Sequence, residues 1–157
     1  MKEEQKGEII IYQTEEGHTK IDVRFESENL WLSQAQLVDL YQSSKSNISE
    51  HIKHVFEEEE LTEDSVVRKF RTTAADGKEY HTTFYNLDMI ISLGYRIKSR
   101  IATKFRIWAT ERLKEYIIKG FTMDDERLKQ AGGGTYWYEL LNRIRDIRSS
   151  EKVLYRQ

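Results

Sequence analysis

Lys45, Ser46, Asn47, Ser49 and Lys53 crowd into one short polar stretch and would share the outer side of a helix that starts near Ser44. Asn can bond adenine through two hydrogen bonds, Lys can reach guanine or phosphate, and Ser can reach either. At the start of a recognition helix, such side chains meet base edges and phosphates. A second set of cations, Arg68, Lys69, Arg71 and Lys78, lies around an Asp76-Gly77 turn, where it can follow a phosphate backbone or enter a minor groove. The same residue types also make ordinary solvated surface, and Lys and Arg commonly keep an edge hairpin soluble.

Other chemistries find less support. The chain has no Cys, which excludes disulfides, thiol nucleophiles and Cys zinc sites. His51 and His54 lie three apart beside Glu50 and Glu57, but no third ligand or His-Glu-x-x-His pattern marks a metal site. Exposed helical histidines are the plainer reading. Glu57 to Glu60 read as a solvated charged loop rather than a magnesium site. Gly132 to Gly134 lack the following Lys-Ser/Thr of a phosphate-cradling loop, and no serine sits in an elbow motif. Asp124, Asp125 and Glu126 suit the positive end of a helix better than carboxylate catalysis. No catalytic residue, metal ligand or cofactor is therefore assigned, and the expectation is a binding protein rather than an enzyme.

The elements that must position the polar patch are legible. Leu32 to Phe56 holds two short amphipathic patterns around a polar break at Gln42, Ser43 and Ser44, as in a helix-turn-helix. Ala35, Leu37, Val38 and Leu40 would be buried from the first helix, and Ile48, Ile52, Val55 and Phe56 from the second. Ser33 and Gln36 make a capping-box pattern after Leu30-Trp31-Leu32, and Ser44 caps the second helix. Upstream, Ile9 to Tyr12 and Ile21 to Phe25 read as a hairpin around Glu15-Glu16-Gly17-His18. Downstream, Ser65 to Thr72 and Glu79 to Tyr85 read as a second hairpin, which after a helix pair would make a wing.

Asn86 then caps an apolar helix from Leu87 to Leu93, stopped by Gly94. A longer helix follows Ser99 and ends at Gly120, with Ile101, Phe105, Trp108, Ala109, Leu113, Tyr116 and Ile117 on one buried face. Arg100, Lys104, Arg106, Arg112 and Lys114 occupy its outer side. Gly132 to Gly134 form a flexible joint before a last helix from Tyr136 to Gln157. Its positions 140, 144, 147, 151 and 154 follow the seam of a helix pair, interrupted by Glu151 and suited to a homodimer through 136–157. The pattern is still running at Gln157, as it would be at the start of a longer chain.

With 157 residues, 38% hydrophobic and 33% charged, the chain can bury one core with an appended helix. No apolar run spans a membrane and no signal-type segment follows Met1, so a cytoplasmic protein is expected. Net charge is -2, yet residues 1 to 64 carry -10 and residues 65 to 120 carry +7. Phosphate attraction should therefore come from the middle of the chain, because duplex affinity depends on Lys and Arg displacing counterions.

At Trp31-Leu-Ser-Gln-Ala-Gln-Leu37, Asn47 to Phe56, Thr73-Ala-Ala-Asp-Gly-Lys78, Phe84 to Tyr95 and Phe105-Arg-Ile-Trp-Ala-Thr110, the sequence resembles the RhuM family of bacterial proteins. The likeness also covers Asp124 to Lys129. It implies a virulence-associated protein from a genomic island or mobile element. Phe105 to Gly120 also resembles the end of Bro-N and KilA-N modules of phage antirepressors, which are linked to DNA binding. Some longer relatives carry a Fic-like region, but His81-Thr-Thr-Phe-Tyr85 lacks the acidic residue, Gly, Asn and Arg of that motif. The turn has Gln42 and Ser43 where many helix-turn-helix units have Gly and an apolar residue, and Glu50 adds an anion to the reading helix.

The expectation is an α+β chain: a winged helix-turn-helix-like domain over 1–120 and a helical extension over 121–157. Its expected partner is double-stranded DNA. The alternatives are an antirepressor-type module that binds a protein regulator without DNA, and the remnant of a toxin or effector.

Overall fold

The computed structural model describes residues 6–14, 17–26, 29–130 and 135–154. The expected turn at Glu15-Glu16 and the Gly132 to Gly134 joint lie outside them. The fold is α+β, with one five-stranded antiparallel sheet and seven helices among the described residues.

β1 (Lys6–Thr14) and β2 (Gly17–Glu26) pair with Gly7 opposite Val23 and a register shift between Ile10 and Gln13. The first hairpin forms as expected, though Gly17 and His18 belong to β2 rather than to its turn. β3 (Asn29–Ser33) continues the sheet, with Phe25 opposite Leu30 and Leu32 opposite Tyr85. The sequence presents Leu30 to Leu32 only as a lead-in to a helix. These residues instead form the middle strand of the sheet. Leu30, Trp31 and Leu32 are all buried, so the two-residue alternation that would betray a strand is missing.

α1 (Gln34–Tyr41) and α2 (Lys45–Glu57) follow. Ser33 caps α1 through a complete capping box with Gln36, and Ser44 caps α2 by accepting from Asn47 N at 3.1 Å. Leu37, Leu40, Ile48, Ile52 and Val55 are buried as expected, whereas Val38 and Phe56 are half-buried. Ala35 is exposed, contrary to expectation, and the larger Tyr41 is buried in α1. Tyr41 fits because its hydroxyl donates to the Ile90 carbonyl. A phenol can enter a core when its polar tip finds a partner.

Ser65 and Val66 belong to the short α3 (Glu63–Val66) rather than to a strand. β4 (Val67–Thr73) and β5 (Glu79–Asn86) then form the second hairpin, with Phe70 opposite Thr82 and Gly77 in its turn at φ 79°. α4 (Leu87–Arg96) is capped by Asn86, which accepts from Met89 N and donates to the Ser65 carbonyl at 3.1 Å. Both ends of this buried amide are thereby satisfied.

Gly94 does not stop α4. It lies inside the helix, where a Cβ would overlap the ring of Phe105 and come within 2.9 Å of the Tyr41 hydroxyl. The absent side chain is what lets the following α5 (Arg100–Lys119) approach. Only Ala102 and Phe105 of α5 are buried. Trp108, Leu113, Tyr116 and Ile117, expected on a buried face, are 40%, 53%, 58% and 76% exposed. The helical spacing is as read, but spacing shows only that one side of a helix is apolar. It does not show that anything covers that side. Gly120, at φ 81°, ends the helix as expected.

Two compact units emerge, Met1–Glu111 and Arg112–Gln157. The first contains the sheet, α1 to α4 and the start of α5, and holds every buried hydrophobic side chain among the described residues. The second contains the end of α5, α6 (Asp125–Gln130) and α7 (Thr135–Leu154), with α6 packed on α7. Asp124 accepts from Arg127 N at 3.1 Å, the capping role expected for this acidic cluster. Along the α7 seam, Leu140 is half-buried while Ile144 and Ile147 are exposed; the side chains of Glu151 and Leu154 lie outside the described residues.

Candidate nucleic-acid interface

The polar surface of α2 is held by its preceding turn. Gln42 takes a left-handed conformation at φ 49°, and Ser43 N bonds back to the Val38 carbonyl at 3.2 Å. A non-glycine residue pays for this geometry, so local bonds must fix it. Asn47 supplies one, donating from Nδ2 to Ser43 Oγ at 2.8 Å. Its amide nitrogen therefore holds the turn, and Asn47 is only partly exposed.

The remaining candidates on this helix face solvent. Lys45, Ser46, Ser49 and Lys53 are exposed and, with Glu50, line one shallow open surface. Their apolar counterparts Ile48, Ile52 and Val55 point into the core, so helical periodicity itself turns the polar group outward. Ser46 Oγ lies 3.4 Å from Ser44 Oγ, and Lys53 pairs with Glu57 at 3.7 Å. The latter is an exposed pair that water or phosphate can replace with little loss. Sequence reading missed Gln34, whose Nε2 reaches from α1 to Ser49 Oγ and the Lys45 carbonyl. The contact joins residues fifteen apart, and no local pattern announces it.

Strand alternation divides the hairpin cations. Val67 and Tyr85 pack against the main core together with Leu32, which places Lys69 and Arg71 on the helix-bearing face of the sheet. Arg68 belongs to the other face, where its guanidinium sits 4.9 Å from the centre of the Trp31 ring. Phe70 and Phe84 meet edge to face beside it at 5.2 Å, and Phe70 meets Trp31 at 5.8 Å. Arg71 pairs with Glu79 at 3.9 Å. In the turn, Asp76 accepts from Lys78 N and from the Tyr80 hydroxyl, while the Lys78 side chain is exposed. The four cations expected along phosphates thus do not form one row.

Several other charges are committed to the fold. Arg96 donates to Glu58 at 2.5 Å and to Glu60 at 2.6 Å, tying the loop after α2 to the end of α4. Hydrogen bonding to Arg96, then its charge, holds the Glu58 carboxyl below its usual range, while Glu58 and Glu60 raise Arg96. The acidic loop is therefore exposed but not purely solvated. Arg106, expected on the outer side of α5, instead donates from Nη1 to the Gly94 and Ile97 carbonyls, each at 2.9 Å. Arg112 and Lys119 each lie 3.9 Å from Glu115.

His51 is partly buried, and desolvation followed by the nearby His54 and Arg96 lowers its pKa, with Glu50 acting in the opposite direction. Among the described residues, no three His, Asp or Glu side chains gather into a metal-binding group. No helix among them is long and apolar enough to cross a membrane.

These features define an α+β protein with a capped helix pair feeding a β-hairpin, and with a polar surface on the second helix. The model of the Virulence protein RhuM family matches residues 65–157, and the chain belongs to that family. No curated protein and no solved structure matches it.

Proposed function

We propose that this chain is a non-enzymatic, virulence-associated DNA-binding module, carried on a genomic island or mobile element and acting in the cytoplasm. The observation that carries the proposal is the surface of α2, where Lys45, Ser46, Ser49 and Lys53 face outward from a well-capped helix that follows a short turn. In this reading α2 enters the major groove, and the β4–β5 hairpin acts as a wing. Lys69 and Lys78 lie on phosphates, joined by Arg71 when it leaves Glu79. Asn47 fixes the turn that aims α2, and Arg68 supports the sheet through Trp31.

Fluorescence anisotropy with duplex fragments at low and moderate salt tests the proposal. Binding that weakens with salt is expected, because each phosphate contact releases counterions. Absence of salt-sensitive binding to any duplex refutes it.

A second reading, a protein-interaction module of antirepressor type, draws on exposed apolar residues of α5 and its end: Leu113, Tyr116, Ile117 and Phe121. A pull-down that recovers a regulator while DNA is not retained would favour it. Pairing of two copies through 136–157 is part of the same proposal, with Ile144 and Ile147 as exposed seam positions, and sedimentation measures it.

A further inference from the structure

The surface of α2 includes one side chain that α2 does not supply. Gln34, the first residue of α1, donates from Nε2 to Ser49 Oγ and to the Lys45 carbonyl at 3.3 Å. A carbonyl only accepts, so the amide nitrogen must face it and Oε1 must face elsewhere. With two acceptors for two N–H hydrogens, Gln34 retains only Oε1 for a ligand. Ser49 Oγ uses a lone pair to accept from Gln34 and keeps its own O–H as a donor.

One acceptor and one donor held next to each other complement the major-groove edge of adenine, which offers N6–H and N7. Asn47, the residue type best suited to that edge, spends one of its two amide hydrogens on Ser43 Oγ, which holds its amide against the turn. Exposed Lys45 and Lys53 flank the pair on the same helix. We propose that Gln34 and Ser49 form a composite adenine-reading pair, an inference that rests on the duplex-binding reading above. Two helices then share one base contact, and the Gln34–Ser49 bond sets its geometry before DNA arrives.

The test begins with duplexes selected from a random-sequence library by the wild-type chain. Each selected adenine is replaced in turn by 7-deazaadenine, which lacks only N7, and by the other bases. Affinities are compared for wild type, Gln34→Ala, Ser49→Ala and the double variant. One adenine is expected at which loss of N7 costs the wild type about 10-fold. At that position both single variants become nearly indifferent, and the double variant loses no more discrimination than either. The salt dependence stays unchanged, because neither residue is charged.

Gln34→Glu supplies a second variant of similar length. It replaces the donor by an acceptor and is expected to lose the same adenine preference. Thermal melting establishes that each variant is folded. Full adenine discrimination in Gln34→Ala, or an equal loss across all sequences, overturns the pair while leaving the DNA reading intact. Failure of the wild type to enrich any duplex overturns both.

Discussion

Arg106 separates structural charge from phosphate-binding charge. Its guanidinium bonds the Gly94 and Ile97 carbonyls at the end of α4, and its Nη2 donates to Thr103 Oγ1 at 3.1 Å. Those carbonyls belong to a helix terminus that lacks internal partners, and a cation there also meets the negative end of the helix dipole. Hydrogen bonds to a charged group contribute about 1.5–3 kcal/mol each. Because Arg106 is partly exposed, water can recover some of that, and Arg106→Gln should cost about 2 kcal/mol in total. For a chain of this size the loss corresponds to a fall in Tm of roughly 4–8 °C. Arg106→Lys should fall in between, since one ammonium cannot reproduce the planar fork. Thermal and urea unfolding measure the cost, and anisotropy across salt measures binding by the folded variant. A change below about 0.5 kcal/mol, within the range of ordinary surface substitutions, would refute the stapling role. So would a duplex salt slope reduced by about one, the signature of a lost phosphate contact.

Gly94→Ala should destabilise by about 1–2 kcal/mol: the overlap with the Phe105 ring places the crowding cost in the upper part of the range, about 2–3 kcal/mol, against roughly 1 kcal/mol gained in helix propensity. Urea midpoints check the sign, and Phe105→Leu in the same background should recover part of the loss. Joint replacement of Lys69 and Lys78 by Ala should leave Tm within a degree or two and lower the salt slope of duplex binding by about two. His51 has a folded pKa below its ordinary value of 6.5, so the unfolded chain takes up the proton more readily. Stability should therefore fall as pH drops through about 6.5 towards the folded pKa and then level off, a dependence that His51→Gln should flatten. Urea midpoints at pH 7.5 and 5.5, at constant ionic strength, compare the two chains above the range where Glu58 protonates.

Local rules made much of the fold legible. Ser33, Ser44 and Asn86 each cap the helix they precede, because a cap needs only its own residue and an N–H three positions on. The Asp76-Gly77 turn marks the second hairpin for the same reason. What was not legible depends on tertiary partners. β3 has covered faces and so no alternation, and Gly94 reads as a stop signal until Phe105 is seen against it. The site shows the same division. Periodicity correctly turned Lys45, Ser46, Ser49 and Lys53 outward, but it could not show that Asn47 bonds Ser43 or that Gln34 enters the surface from another helix.

Net charge along the sequence overstates what this chain can offer a phosphate backbone. Residues 65 to 120 carry +7, yet Arg96 is bound by two carboxylates, Arg106 by carbonyls, and Arg112 and Lys119 share Glu115. Arg68 lies over Trp31 on the opposite face of the sheet from Lys69 and Arg71. The cations that the proposed interface uses are Lys45 and Lys53 on α2 and Lys69 and Lys78 on the hairpin, Lys53 after giving up Glu57. At about 0.9 counterion released per phosphate neutralised, four contacts give a logarithmic salt slope near -4. Arg71 would steepen it by about one only after giving up Glu79. A slope beyond about -7 in duplex titrations would require further cations, and a docking surface centred on α2 and the hairpin would then be wrong. Phosphate contacts position a duplex without reading it, so in the proposed reading any sequence preference comes from hydrogen bonding by the α1–α2 surface.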